Sequence, residues 1–305
     1  MFAMITLARF ISKGPGQAAL VAATMAILGL IFMPASWLSA AAIALVVLVQ
    51  GPSAGARVTL YAIIGSALLL LLTTGRPELT LFFVMLIWLP VWLPAMVLRQ
   101  TVSLAYALLL VTAIALAGCL AFYGVLPGFE KEYEEVITAA MRQLVSQYQL
   151  ELTEENFSGF TELVIKLLPG LFISSLMVGS ALGLMLARWW QAVLVNPGGF
   201  GSEFQSLRLG KSSALIACVI VLAAAQVQSD LLIAMSMVVT TLYLIQGTSL
   251  LHALVKGLKL NGAWLFGVYV LVFFVPHVIA LMVMAGIIDA FVDFRRRLIP
   301  SGDPD

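Results

Sequence analysis

Residues 103–125 read SLAYALLLVTAIALAGCLAFYGV, a run without a single charge. A helix of that length is about 35 Å long, enough to cross the roughly 30 Å hydrocarbon core of a bilayer. Polar and apolar positions do not alternate along it, which excludes a strand with one wet face. Lipid offers no partner to backbone N–H and C=O groups, so a run of this kind must satisfy them within itself, as a helix.

The rest of the chain repeats the pattern. Apolar residues make up 62% and charged residues 10% of its 305 positions, and the mean hydropathy is +1.08. Soluble domains have about 45–50% apolar and about 25% charged residues, so most of this surface is solvated by lipid. Nine apolar runs stand out, at 17–33, 35–50, 58–74, 79–98, 103–125, 167–187, 213–227, 231–251 and 262–291. The expected fold is therefore all-α: a polytopic transmembrane bundle of 8–10 membrane segments with an amphipathic, extracytoplasmic helical insert. Its divisions are five N-terminal spans over 1–125, the insert over 126–166, C-terminal spans over 167–297 and a polar tail over 298–305. Arg9 and Lys13 ahead of 17–33 are the basic flank of a first span, and that run is read as a helix rather than a secretory signal.

Basic residues set the orientation. With the N-terminus in the cytoplasm, Arg9, Lys13, Arg57, Arg99, Arg188, Arg208, Lys211, Lys256 and Lys259 fall inside, and Arg76, Lys131, Arg142 and Lys166 outside. Pro276 interrupts 262–291 near its middle. A broken pair of half-helices, or a re-entrant hairpin, returns Arg295, Arg296 and Arg297 to the cytoplasm and gives twelve basic residues inside against four outside. The alternative is one long tilted span with an external tail. The insert carries eight glutamates against three basic residues. Its apolar positions (Tyr133, Ile137, Leu144, Tyr148; then Phe157, Phe160, Val164) recur at helical spacing, with Thr153 as an N-cap. Two amphipathic helices are expected there, lying along the headgroups or capping the bundle.

The chemistry-bearing motifs are few. Gly210-Lys211-Ser212 lacks the glycine that a phosphate loop needs at position 205, which is Gln, and no strand precedes it. Gly51-Pro52-Ser53-Ala54-Gly55 fits the nucleophile-elbow spacing but lies between lipid-spanning helices, leaving intramembrane proteolysis as a remote alternative. His252 and His277 are the only histidines. Cys119 and Cys218 read as small core residues. No metal or cofactor is expected, and a net charge of +1 argues against nucleic acid.

Polar groups at membrane depth are the better candidates, because hydrocarbon penalises them. Gln226, Gln228 and Asp230 mark the junction of the seventh and eighth segments, as a headgroup-level turn or as the rim of a site for a polar solute. Gln246 and His252 belong to a polar stripe that fits interhelical hydrogen bonding or ligand binding. His277 adjoins Pro276 and either lines a polar cavity or packs. Trp88 and Trp92 share a helix face beside Pro90 and Pro94, as a broken cavity-lining helix or as a kink at the aromatic belt. Ala18, Ala22 and Ala26 form a small-residue stripe, for a membrane-protein partner or for internal packing.

Some of these residues also carry a resemblance. Leu167-Leu168-Pro169, Ile245-Gln246-Gly247 with Leu250-Leu251-His252, and Gly286-Ile287-Ile288-Asp289 with Asp293-Phe294-Arg295-Arg296-Arg297 resemble the YybS-like family of bacterial integral membrane proteins. Asn196-Pro197-Gly198-Gly199-Phe200 resembles its proteobacterial branch. The resemblance implies the inner (cytoplasmic) membrane. It also implies a layout similar to the substrate-capturing subunits of energy-coupling-factor transporters, which dock through small residues of their first helix, a pattern that Ala18, Ala22 and Ala26 match. The expected function is a non-catalytic subunit that binds or transports a small molecule. The alternative is a structural or assembly factor of the cell envelope.

Overall fold

A computed structural model of the protein describes residues 2–124, 129–149, 153–195 and 197–298, among which there is no strand. The chain begins with α1 (Phe2–Ser12), α2 (Pro15–Leu28), α3 (Pro34–Gln50), α4 (Pro52–Thr74), α5 (Pro77–Thr101) and α6 (Leu104–Gly124). It continues with α7 (Phe129–Gln147), α8 (Glu154–Val195), α9 (Gly199–Gln205), α10 (Lys211–Val227) and α11 (Asp230–Gly257). The last elements are α12 (Ala263–Phe274), α13 (Pro276–Val292) and the short α14 (Phe294–Leu298).

All nine apolar runs fall on helices of unequal length. α4, α5, α6, α8 and α11, five in all, are long and apolar enough to cross a membrane, and α12 with α13 adds one bent pair. α2, α3 and α10 have 14, 17 and 17 residues, short of the roughly 20 that a full span takes. For α3 the reason is its position. Every residue from Ser39 to Leu48 is buried, with α2, α4, α5 and α8 packed around it. A helix that is apolar all round and covered all round is a core helix.

This packing corrects one expectation. Ala18, Ala22 and Ala26 are 0%, 0% and 1% exposed, so the proposed docking stripe is already filled from within the chain. α2 packs on α3 and α4, and the Ser39 hydroxyl donates to the Ala22 carbonyl at 2.6 Å. Small side chains bring the backbones close enough for that bond.

A second correction concerns the boundary at 166/167. α8 runs unbroken for 42 residues with Pro169 inside it, so insert and span share one helix about 63 Å long, twice the hydrocarbon thickness. The pattern changes where this helix leaves the apolar bundle, and hydropathy reads that change as an end. α7 packs along the projecting turns: the Tyr133 hydroxyl donates to the Ile165 carbonyl at 3.4 Å, and Arg142 lies over the Phe157 ring. The junction 125–128 and the tail 299–305 lie outside the described residues.

α12 and α13 meet at a 120° bend. Val275 is extended there (φ −127°, ψ 92°), as a residue before proline prefers, and Pro276 opens α13. α12 buries none of its residues; at about 18 Å it is too short to cross alone. α13 turns back along α11, and the approach is very close. A Cβ on Gly247 would overlap the Met282 carbonyl, and one on Gly286 the Tyr243 carbonyl. Just beyond α13, Asp293 and Arg295 bond Arg208 and Ser249. That 120° bend makes 262–291 a broken span or a re-entrant loop and not one straight helix.

Candidate functional site

Where α11, α13 and the 204–209 linker converge, the chain buries a connected polar cluster. Gln246 and Asp289 are both 0% exposed. The Gln246 amide donates to the Gly286 carbonyl (2.8 Å) and to Asp289 Oδ2 (3.4 Å), while its oxygen accepts from the Leu209 N–H at 3.1 Å. Asp289 Oδ1 accepts from the Phe294 N–H, and Oδ2 pairs with Arg295 at 2.9 Å. Arg295 Nη2 donates to the Ser249 hydroxyl at 3.0 Å, and that hydroxyl donates onward to the Phe204 carbonyl. Burial pushes the Arg295 pKa down, and the Asp289 carboxylate pushes it back up. Nearly every polar atom is partnered, which makes this a clamp that ties the hairpin and linker to α11.

A few residues away lies a pocket of about 550 Å³, lined by the last turns of α8, by α9 and by Val102 of the α5–α6 turn. Gly198, in the left-handed region at φ 92°, lets the chain leave α8 and fold α9 back over it. Arg188 Nε donates to Glu203 Oε2 at 2.8 Å and Nη1 to the Gln191 side-chain Oε1 at 2.6 Å. The Gln191 amide and Arg99 in turn reach the Leu48 carbonyl at the C-terminus of α3, where cations and donors are favoured. One atom stays unanswered: Glu203 Oε1 is buried and has no hydrogen-bond partner. Leaving such an acceptor unpaired costs about 1–3 kcal/mol, more when it is charged. Arg188 and Glu203 both line the pocket, while Oε1 itself is shut off from its open space.

The sequence candidates are spread along the bundle. Gln246 sits in the clamp. His252 Nε2 lies 2.7 Å from the Tyr269 hydroxyl and its ring meets Phe204 edge-on, joining α11 to α12. Gln226, Gln228 and Asp230 stay exposed at the α10–α11 turn, with Asp230 4.0 Å from Lys166. His277 is exposed at the α12–α13 bend and makes no hydrogen bond among the described residues, so it does not line a polar cavity. Trp88 is fully buried, and its Nε1 donates to the Ser39 hydroxyl at 2.9 Å. Trp92 Nε1 is buried and unpartnered, close to Gly55. The groove beside these tryptophans is lined almost wholly by apolar residues of α4 and α5, which suits an acyl chain rather than a polar solute. Ser53 sits exposed in the first turn of α4, hydrogen-bonded to neither histidine.

Sequence reading missed Ser39, Arg188, Gln191 and Glu203 as site residues. It quoted Asp289 without giving it a role, although a lone carboxylate within 262–291 was a usable signal. Among the described residues, no group of three or more His, Cys, Asp or Glu could hold a metal. No family model, curated protein or solved structure matches this chain.

Proposed function

We propose that the chain is a non-catalytic, multi-pass protein of a bacterial inner membrane that binds a small polar molecule between α8 and α9. The convergence of Arg188, Gln191 and Glu203 on the wall of a 550 Å³ pocket carries this reading. Binding pockets combine apolar walls with a few placed polar groups, here Val102, Ala192, Val195 and Phe200 with Arg188, Gln191 and Glu203. Ala192 is nearly buried on the pocket wall and touches neither member of the ion pair through a hydrogen bond. Ala192→Trp should therefore fill the space and leave the bundle folded. Protein extracted from its own membrane should carry a copurifying small molecule, identifiable by mass spectrometry, that the variant loses. Equal loading of the two proteins would refute the site.

The pocket lies at the end of the bundle that gathers Arg99, Arg188, Arg208 and Arg295, and this excess of basic residues supports a cytoplasmic position for that end. α7 and the first turns of α8 then project outside. In spheroplasts, with Cys119 and Cys218 replaced, a membrane-impermeant maleimide should modify Ser158→Cys and spare Arg297→Cys. The opposite pattern would overturn the orientation.

The assembly-factor reading is favoured by one observation. The α7–α8 projection leaves Val136, Leu144, Tyr148, Phe160 and Leu163 exposed beyond the bundle, where a partner protein could cover them.

A further inference from the structure

We propose that the groove between α9 and the last turn of α11 holds a phosphate-bearing anion, with the Lys256 ammonium as its counterion. This groove is separate from the pocket between α8 and α9, and the inference goes beyond the reading of that pocket.

The groove measures about 420 Å³ and is lined by Ser202, Gln205 and Ser206 at α9, by Ala253 and Lys256 of α11, and by Arg295 of α14. No carboxylate lines it. The carboxylates of this end are each held by an arginine instead: Glu203 by Arg188, Asp293 by Arg208 and Asp289 by Arg295. Lys256 has no such partner. It is exposed and makes no ion pair or side-chain hydrogen bond among the described residues. Arg295 adds little of its own, because Asp289 neutralises it and its side chain is 11% exposed. The charge left over in the groove is therefore the Lys256 ammonium, and an anion is what it draws. The Gln205 amide, half-buried and equally without a hydrogen bond among the described residues, offers two further donors. The Ser202 and Ser206 hydroxyls donate to the Gly199 and Glu203 carbonyls and keep lone pairs for the hydroxyl groups of a ligand.

The membrane level selects phosphate among anions. Trp264, 63% exposed, stands in the first turn of α12, just after the end of α11. Exposed tryptophans of spanning bundles sit among the headgroups, so the end of α11 lies at the depth of the lipid phosphates. Lysine binds phosphate as a compact point charge, and basic pockets between helices at the membrane surface hold anionic headgroups. Two sources supply this chemistry: an anionic bilayer lipid such as phosphatidylglycerol, and a free phosphate ester.

The test is native mass spectrometry of the full chain in nanodiscs of phosphatidylglycerol or phosphatidylcholine, with and without soluble sn-glycerol 3-phosphate. Retention of phosphatidylglycerol should exceed that of phosphatidylcholine by about fivefold, a difference of about 1 kcal/mol. Lys256→Gln, an exposed change that leaves the bundle folded, should erase the preference. Lys259→Gln removes the same charge outside the groove, and Ala192→Trp fills the other pocket; both should keep it. Binding of sn-glycerol 3-phosphate that needs Lys256, without a lipid preference, assigns the free source and supports the same chemistry. Equal losses in Lys256→Gln and Lys259→Gln would mean diffuse surface charge only and overturn the site. Loss in Ala192→Trp moves the anion to the pocket between α8 and α9 and overturns this groove. Equal retention of the two lipids, with no Lys256-dependent binding of sn-glycerol 3-phosphate, overturns the proposal and leaves the reading of the other pocket untouched.

Discussion

Asp289→Ala is expected to destabilise the protein by about 3–5 kcal/mol, the usual cost of removing one partner from a buried ion pair. The change strands the Arg295 guanidinium, whose side chain is 11% exposed, and takes an acceptor from both the Gln246 amide and the Phe294 N–H. Unfolding of the detergent-solubilised protein, followed by tryptophan fluorescence, measures the loss. The double change Asp289→Leu with Arg295→Met should cost much less than the single one, because no charge is left uncompensated. If the two costs simply add, the clamp is not the coupled unit that its hydrogen bonds describe.

Gly247→Val should be at least as damaging, for a different reason. The obstacle to a side chain there is the Met282 backbone carbonyl, which no rotamer change can move. α11 and α13 must separate, and the Gln246–Gly286 and Gln246–Asp289 bonds are lost with the contact. Overpacking of a tight core costs about 1–3 kcal/mol where side chains can yield, and here backbone meets backbone. A sharp fall in the recovery of monodisperse protein is expected. Gly267→Ala on α12 is the control. A Cβ there meets nothing within 4 Å, and replacing a mid-helix glycine by alanine should be neutral or stabilising by up to about 1 kcal/mol. Equal behaviour of the two variants would mean that α11 and α13 do not touch as described.

The membrane class was legible because it follows from composition: runs such as 103–125 leave the backbone only one way to bond. The break in 262–291 was legible too, from Pro276. Hydropathy failed where one element crosses two environments, as α8 does, and where a short apolar helix is buried by its neighbours, as α3 is. The Ala18–Ala22–Ala26 stripe announced close packing but not what fills it, because a spacing of four specifies a face and not its occupant. The pocket was least legible. Arg188 and Glu203 meet across a 15-residue separation, Trp88 and Ser39 across 49, and Gln246 and Gly286 across 40. No local pattern marks such pairs, and Arg188 and Glu203 line one pocket only because α9 folds back over the end of α8.

The pocket is most directly tested by a high-resolution cryo-EM reconstruction of the protein in discs of its own native lipid. Ordered non-protein density larger than a water is expected in the space between α8 and α9, against Arg188, Gln191 and Glu203. A pocket holding only disordered solvent, or closed by the Glu203 side chain turning to another partner, would contradict a binding role for this protein.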